Sequence, residues 1–195
     1  NYASVDDNEQ LVRDEIQRLK AMGFVTIYPN WAAANRRFGA VVVSKMAALA
    51  KQKEDGSTKL RLIIDMRRSH VNAHVRLHER IVLPRVVDML RDALALQGRA
   101  DSDGDLDMIV MDWADAFHSM GVHPDEYAHQ VVKGFDGQYV GYETVLFGGA
   151  GSPGVWGRAV AFLGRSGQSL FAADEARIQV YVDDPWTIWR GAPED

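Results

Sequence analysis

The sequence predicts an α+β fold. Three turn signals, Asp55-Gly56, Gly134-Phe135-Asp136-Gly137 and Asp183-Asp184-Pro185, are each flanked by residues that favour strands, which predicts antiparallel hairpins. Between them lie segments whose apolar residues recur every three or four positions, the mark of helices with one buried face. The 195 residues leave room for one sizeable domain or two small lobes, and a 47% hydrophobic content is enough to bury a core.

Asp6 or Asp7, followed three residues later by Glu9 or Gln10, offers a capping-box start to a first helix. Val12, Ile16 and Leu19 then keep helical spacing, and Gly23 closes the helix. Short strands are expected over residues 24–27 and 40–44, the second a nearly continuous apolar run of the kind buried on both faces. Pro29-Asn30-Trp31 and Asn35-Arg36-Arg37 between them read as loop. Residues 51–59 form a polar, basic tip that turns at Asp55-Gly56 into a strand over 60–65. Such a tip suits gripping phosphate and is equally the pattern of a solvated turn. Arg61 and Arg67 add cations at the strand's start and just beyond its end, in the planar form that binds two phosphate oxygens at once.

His70, His74 and His78 would align as metal ligands on a helix, but Val71, Asn72 and Val75 disfavour one and no Cys or Glu completes a zinc set. A connecting segment with exposed imidazoles is expected there. Pro84 is expected to open a helix with Val87, Leu90 and Leu94 on its apolar face and Gly98 at its end. Residues 101–107 alternate carboxylates, yet Leu106 stands where a calcium loop needs Gly, so a solvated acidic loop is expected.

A short buried strand over 108–111 then leads to Asp112, with Asp115, which also reads as a cap, three residues on and Phe117 five residues on. Residues 129–133 and 138–142 form a hairpin. The run Leu146-Phe147-Gly148-Gly149-Ala150-Gly151-Ser152-Pro153 is a glycine-rich turn whose backbone can approach a ligand closely, and it opens a helix at Pro153 that runs to about Arg165. A second helix is expected over 168–177. The last hairpin, from Gln179 to Trp189, carries Asp183 and Asp184 at its tip. Two adjacent anions repel unless water or a cation neutralises them, so this tip is either an ordinary solvated turn or a place for a hard divalent ion such as Mg²⁺.

Composition narrows the function. The absence of cysteine excludes disulfides and Cys-ligated zinc and fits an intracellular protein. No run approaches the roughly 18 apolar residues of a membrane span, and the start has neither the basic nor the apolar region of a secretory signal. Asn1 in place of an initiator Met leads us to expect a piece of a longer chain. The net charge of −5 hides an uneven distribution: residues 36–100 carry 14 Lys and Arg against 6 acids, and residues 101–195 carry 5 against 16. A basic middle and an acidic end suit a phosphate-binding surface and a cation site, respectively.

In their order, these blocks resemble the fingers and palm of reverse transcriptases, the RNA-directed DNA polymerases of retroelements and retroviruses. The resemblance spans nearly the whole chain and rests on Asp112-Trp113-Ala114-Asp115-Ala116-Phe117, on Leu146-Phe147-Gly148 through Ser152-Pro153, and on Tyr181-Val182-Asp183-Asp184. It implies a right-hand polymerase, with an antiparallel palm sheet backed by helices and a fingers subdomain. On this reading about 1–100 is mainly fingers and about 101–195 mainly palm, with the thumb missing.

The same resemblance implies that Asp112, Asp183 and Asp184 are catalytic and hold two Mg²⁺ or Mn²⁺ ions. Arg61 would contact the triphosphate with help from Lys53 or Lys51, while Asp65 and Arg67 brace the fold. Phe117 would lie under the sugar and exclude a ribose 2′-hydroxyl, although its position also suits a core aromatic. Asp115, Phe147 and Gly148 would complete the nucleotide site. The implied partners are an RNA or DNA template with its primer and deoxynucleoside triphosphates, with no membrane. Two departures stand out: Leu146 replaces a proline frequent in the family, and two extra residues separate Arg67 from Asn72, which shifts Asn72 from the family's asparagine. A non-catalytic relic or nucleic-acid-binding fragment is the alternative, and an RNA-directed RNA polymerase of the same palm type a third possibility.

Overall fold

The computed structural model describes residues 1–97 and 105–191. In chain order its elements are α1 (Ala3–Asp6), α2 (Glu9–Ala21), β1 (Val25–Tyr28), α3 (Trp31–Phe38), β2 (Val43–Gln52), β3 (Thr58–Asp65), α4 (Val71–His74) and α5 (Val86–Gln97). There follow β4 (Leu106–Val110), a 3₁₀ turn (Pro124–His129), β5 (Val131–Lys133), β6 (Tyr139–Tyr142), α6 (Ser152–Gln168), β7 (Ala176–Tyr181) and β8 (Asp184–Arg190). They fall into two compact units, neither continuous in sequence: Asn1–Leu77 with Phe117–Ser152, and His78–Ala116 with Pro153–Asp195.

The first unit is built on a five-stranded sheet in the order β1-β6-β5-β2-β3, antiparallel except where β2 meets β5. Val12, Ile16 and Leu19 of α2 are buried against Val25, Met46, Ile64, Val132, Val140 and Tyr142, so the helical spacing of those three apolar residues is what covers the sheet. Gly23 ends α2 at a positive φ of 76°, with the Phe24 N–H donating to Leu19 O and the Gly23 N–H to Lys20 O, a Schellman closure. The start differs from the expected capping box: Asp6 lies in α1, and Asn8 precedes α2 without a side-chain cap bond.

Three further expectations in this unit are corrected. Residues read as loop form α3, because Asn30 Oδ1 accepts from the Ala33 N–H and three alanines follow, which outweighs Pro29 and Asn35. The second strand begins at Val43, not Ala40, and runs on to Gln52. Its burial alternates between Val43 and Ala48, the pattern of a strand with one covered face. The hairpin to β3 keeps the Asp55-Gly56 turn, with Gly56 at φ 79°, and sets Lys51 directly opposite Lys59.

The second unit holds a three-stranded antiparallel sheet, β4-β8-β7. Its small core joins Leu96, Met89 and Ala93 of α5 to Trp186, Ile188 and Leu106. The helix starts at Val86, two residues after Pro84, because Asp88 Oδ2 reaches back to the Arg85 N–H as half of a capping box. Its Val87, Leu90 and Leu94 are exposed, so the face predicted to be buried is the outer one. Met108, Ile109 and Val110 of β4, and Met111 just after it, are likewise exposed, against the expectation of a buried strand.

α6 begins at Ser152 and runs past Arg165 to Gln168, and the expected second helix over 168–177 is replaced by turns leading into β7. Gln168 causes the change of direction: its Nε2 donates to Ala176 O at 3.0 Å and its Oε1 accepts from the Ile178 N–H at 2.9 Å, clamping the strand to the helix end. Gly98 and residues 101–104 of the acidic loop lie outside the described residues. Among the described residues, no helix is long and apolar enough to cross a membrane.

Candidate active site

Asp112 follows β4, and Asp183 and Asp184 stand at the β7–β8 turn, all within the second unit. The β4–β8 register, which pairs Val110 with Trp186, continues past the strand end. The Met111 N–H donates to Pro185 O at 2.9 Å and the Trp113 N–H to Asp183 O at 2.9 Å. Asp112 sits between those two bonded pairs and therefore faces Asp184 as a non-hydrogen-bonded pair, the closer kind, with Cα atoms about 4.5 Å apart. Cross-strand partners share a face, so the two side chains project together, with Asp183 one residue away on the turn.

The turn itself has two central residues, Val182 and Asp183, between the paired Tyr181 and Asp184. Val182 has φ 56° while Asp183 is not in the left-handed region, the pattern of a type II′ turn, whose first central position normally takes Gly. A β-branched residue there costs of order 1–3 kcal/mol and needs support from its surroundings. Support comes from Trp156, whose indole N–H donates to Val182 O at 2.6 Å and whose ring meets Trp113 edge-on at 5.6 Å. Trp156 is buried, so this donor is fixed.

Asp112 is exposed and Asp183 and Asp184 are half-buried, and none of the three has an ion pair or side-chain hydrogen bond among the described residues. No three His, Cys, Asp or Glu side chains stand together there as a ready metal-ligand group. What fits a hard divalent ion is the donor chemistry: carboxylate oxygens, two of them paired across strands, with no competing cation. Asp115, also in this unit, takes a left-handed backbone (φ 51°) that a short polar side chain tolerates, and is half-buried.

The first unit gathers a second set. The Phe117 and Phe147 rings lie 4.8 Å apart at 44°, and the Arg61 guanidinium sits over the Phe147 ring at 5.8 Å. Phe147 is tied to β3, because the Ile64 N–H donates to Phe147 O at 2.9 Å. Gly148 follows at φ 116°, so close to β3 that a Cβ there would lie 1.9 Å from Ile64 O. Lys53 is set apart from this set: it occupies the exposed hairpin tip, four positions beyond the Leu49 that faces Arg61, or about 13 Å along a strand.

Two residues that sequence reasoning did not assign to the site contact this set. Asn72 clamps the glycine turn, with Nδ2 donating to Gly148 O and Oδ1 accepting from the Ala150 N–H, both at 2.8 Å. His118 is buried behind the aromatic pair, stacked between Phe24 and Tyr142, edge-on to Phe147, with Nδ1 3.1 Å from Thr144 Oγ1. The adjacency of His118 to Phe117 was the available signal for it. His70, His74 and His78 are exposed.

No family model matches the sequence, and no curated protein matches it. Solved structures do. A foamy viral protease-reverse transcriptase in complex with double-stranded DNA is 18% identical with a TM-score of 0.61, over 90% of this chain and 25% of that chain. The native prototype foamy virus protease-reverse transcriptase is 18% identical with a TM-score of 0.57, over 95% and 20% of the two chains. A mutant of the same viral protein is 18% identical with a TM-score of 0.60, over 100% and 20%. The chain thus spans a quarter or less of the proteins it matches. At this identity the likeness speaks to architecture, and the chain has a mixed α+β, reverse-transcriptase-like fold.

Proposed function

We propose that this chain carries the catalytic residues of an RNA-directed DNA polymerase of a retroelement, which extends a primer 3′ end with deoxynucleotides. The observation that carries the reading is the facing of Asp112 and Asp184 across one ladder, with Asp183 on the adjoining turn and no cation partner for any of them among the described residues. Asp112, Asp183 and Asp184 would hold two Mg²⁺ or Mn²⁺ ions, which when bound activate the primer hydroxyl and stabilise in-line displacement at the α-phosphate.

The remaining roles belong to side chains and backbone. Arg61 binds triphosphate oxygens through its planar fork, and Lys53, on an exposed tip with Lys51 and Lys59, adds charge from the hairpin. Phe117, supported by Phe147, excludes a ribose 2′-hydroxyl and so selects deoxynucleotides. Gly148 lets the backbone approach the nucleotide without a side chain in the way. Asp115 also serves nucleotide binding, and template and primer follow the basic surface.

The test is extension of a DNA primer on a poly-rA template with Mg²⁺ or Mn²⁺. Asp183→Asn abolishes extension while the circular dichroism spectrum is unchanged. Extension by that variant at the wild-type rate would refute the reading. Primer–template binding that falls steeply with salt, is indifferent to Asp183→Asn and is never followed by extension would instead identify a nucleic-acid-binding fragment.

A further inference from the structure

In the second unit, on the side of the acid-bearing turn where Trp156 lies, a cavity of about 470 Å³ opens between residues 81–84, α6 and β7. That size falls within the range of small-molecule sites. Its walls are Ile81 and Val82 on one side, Trp156 and Val160 of α6 on another, and Val180 and Val182 leading into the turn. Apart from Arg165, the side-chain N–H donors in these walls are already engaged: the Trp156 indole N–H is bonded to Val182 O, and Gln179 Nε2 donates to Asp92. The lining is therefore apolar in effect as well as in composition.

The opening follows from where α6 touches its neighbours. A Cβ on Gly157 would lie 3.3 Å from Ile81 Cδ1, and one on Gly164 3.3 Å from Val180 Cγ2, so close contact is made through glycines at two points along the helix. Between those points the helix presents Val160 and Ala161, too short to fill the space. One charged side chain lines the cavity. Arg165 is exposed at its mouth and has no acidic partner among the described residues.

We propose that this cavity binds an amphipathic anion, a molecule with an apolar body of about two fused rings or a short acyl chain and one carboxylate or sulfonate head. The body fills the space left by Ala161, and the head pairs with Arg165. Val182 forms part of the wall, so the bound molecule touches the turn that carries Asp183. The site stands independently of the polymerase reading, because its residues and its test involve no nucleotide.

The test uses the whole 195-residue chain and two fluorescent probes, the anionic 1-anilinonaphthalene-8-sulfonate and the neutral N-phenyl-1-naphthylamine. Both bind wild-type protein saturably with one site. Ala161→Trp, which plugs the cavity, weakens both by about tenfold or more. Arg165→Gln weakens the sulfonate by about threefold and leaves the neutral probe unchanged, while Arg165→Lys restores the sulfonate. If Ala161→Trp melts early, Ala161→Leu serves as the smaller plug, weakening both probes by about threefold. The exposed apolar residues of α5 provide the control: Leu90→Ser and Leu94→Ser leave binding unchanged. Probe binding that survives both plugs, or that is lost in the α5 variants instead, overturns the proposal.

Discussion

Replacing Gly148 by alanine is the sharpest single test of how the first unit is held together. The new Cβ would lie 1.9 Å from Ile64 O, where ordinary contact begins at 3.4 Å, so turn and strand must separate by about 1.5 Å. Neither can move freely. The Ile64 N–H is bonded to Phe147 O, and Asn72 holds Gly148 O and the Ala150 N–H at once. The φ of 116° adds backbone strain of about 1–3 kcal/mol for any residue with a Cβ. Losing two or three hydrogen bonds adds about 0.5–1.5 kcal/mol each, so the expected destabilisation is about 2–7 kcal/mol. Gly151 is the matched control: its Cβ would meet Val75 Cγ1 at 3.6 Å with no positive φ, so Gly151→Ala changes stability by no more than about 0.5 kcal/mol. Urea unfolding followed by circular dichroism and by tryptophan fluorescence measures both variants and shows whether the two units unfold together. If Gly148→Ala unfolds within about 1 kcal/mol of wild type, the close packing of the glycine turn on β3 is wrong.

Four further outcomes are expected. Asn72→Ala strands a carbonyl and an N–H and costs about 1–3 kcal/mol by the same urea assay, while Asn72→Asp keeps the acceptor for the Ala150 N–H but sets a carboxylate oxygen against Gly148 O and is also destabilising. Acid lowers stability through carboxylates whose folded pKa is depressed: Asp65, by the Tyr2 hydroxyl and then the Arg68 N–H, and Asp136, by the Arg13 guanidinium. A depressed carboxyl contributes stability above its unfolded value of about 3.9 and loses it as pH falls through the lower folded value; Tyr2→Phe should therefore flatten the fall in melting temperature below about pH 4. Mg²⁺ should stabilise wild type by about 1.4 kcal/mol at tenfold excess over its dissociation constant, seen as a higher melting temperature, and fail to do so in Asp112→Asn. In chelator and low salt, Asp184→Asn alone should stabilise by a few tenths of a kcal/mol, because it removes one of two facing like charges.

What the sequence made legible was mostly local. The Asp55-Gly56 turn, the Schellman glycine at position 23 and the α2 stripe each state their structure within a few residues, and each is present as read. The failures share a different cause. Helical spacing shows that α5 has apolar stripes but does not say which one wins; Met89, Ala93 and Leu96 are chosen because Trp186 and Ile188, about 90 residues later, arrive against them. An unbroken apolar run such as 108–111 implies cover on both faces only if something supplies that cover, and among the described residues nothing does. Val182 gives no local sign of a positive φ, since its side chain disfavours one; the conformation is imposed by the hairpin and fixed from Trp156. Asn72 reaches a partner 76 residues away, a link that no local pattern encodes. Of the candidate site, the acids were legible as residue types in order, while the ladder that makes Asp112 and Asp184 opposite neighbours appears only when the strands are paired.

Strand β4 is at once the support of Asp112 and an edge strand of its sheet among the described residues, with Met108 at 53% and Val110 at 57% exposure. Such an edge is a template for adhesion to other extended chains, and the usual remedy is a lysine placed on it. Here that remedy falls within four residues of the acids, where an added cation would neutralise the very charges under test. Improving the solubility of this protein and preserving its electrostatics thus compete for the same short stretch, and a solubilising change belongs instead on the outer stripe of α5.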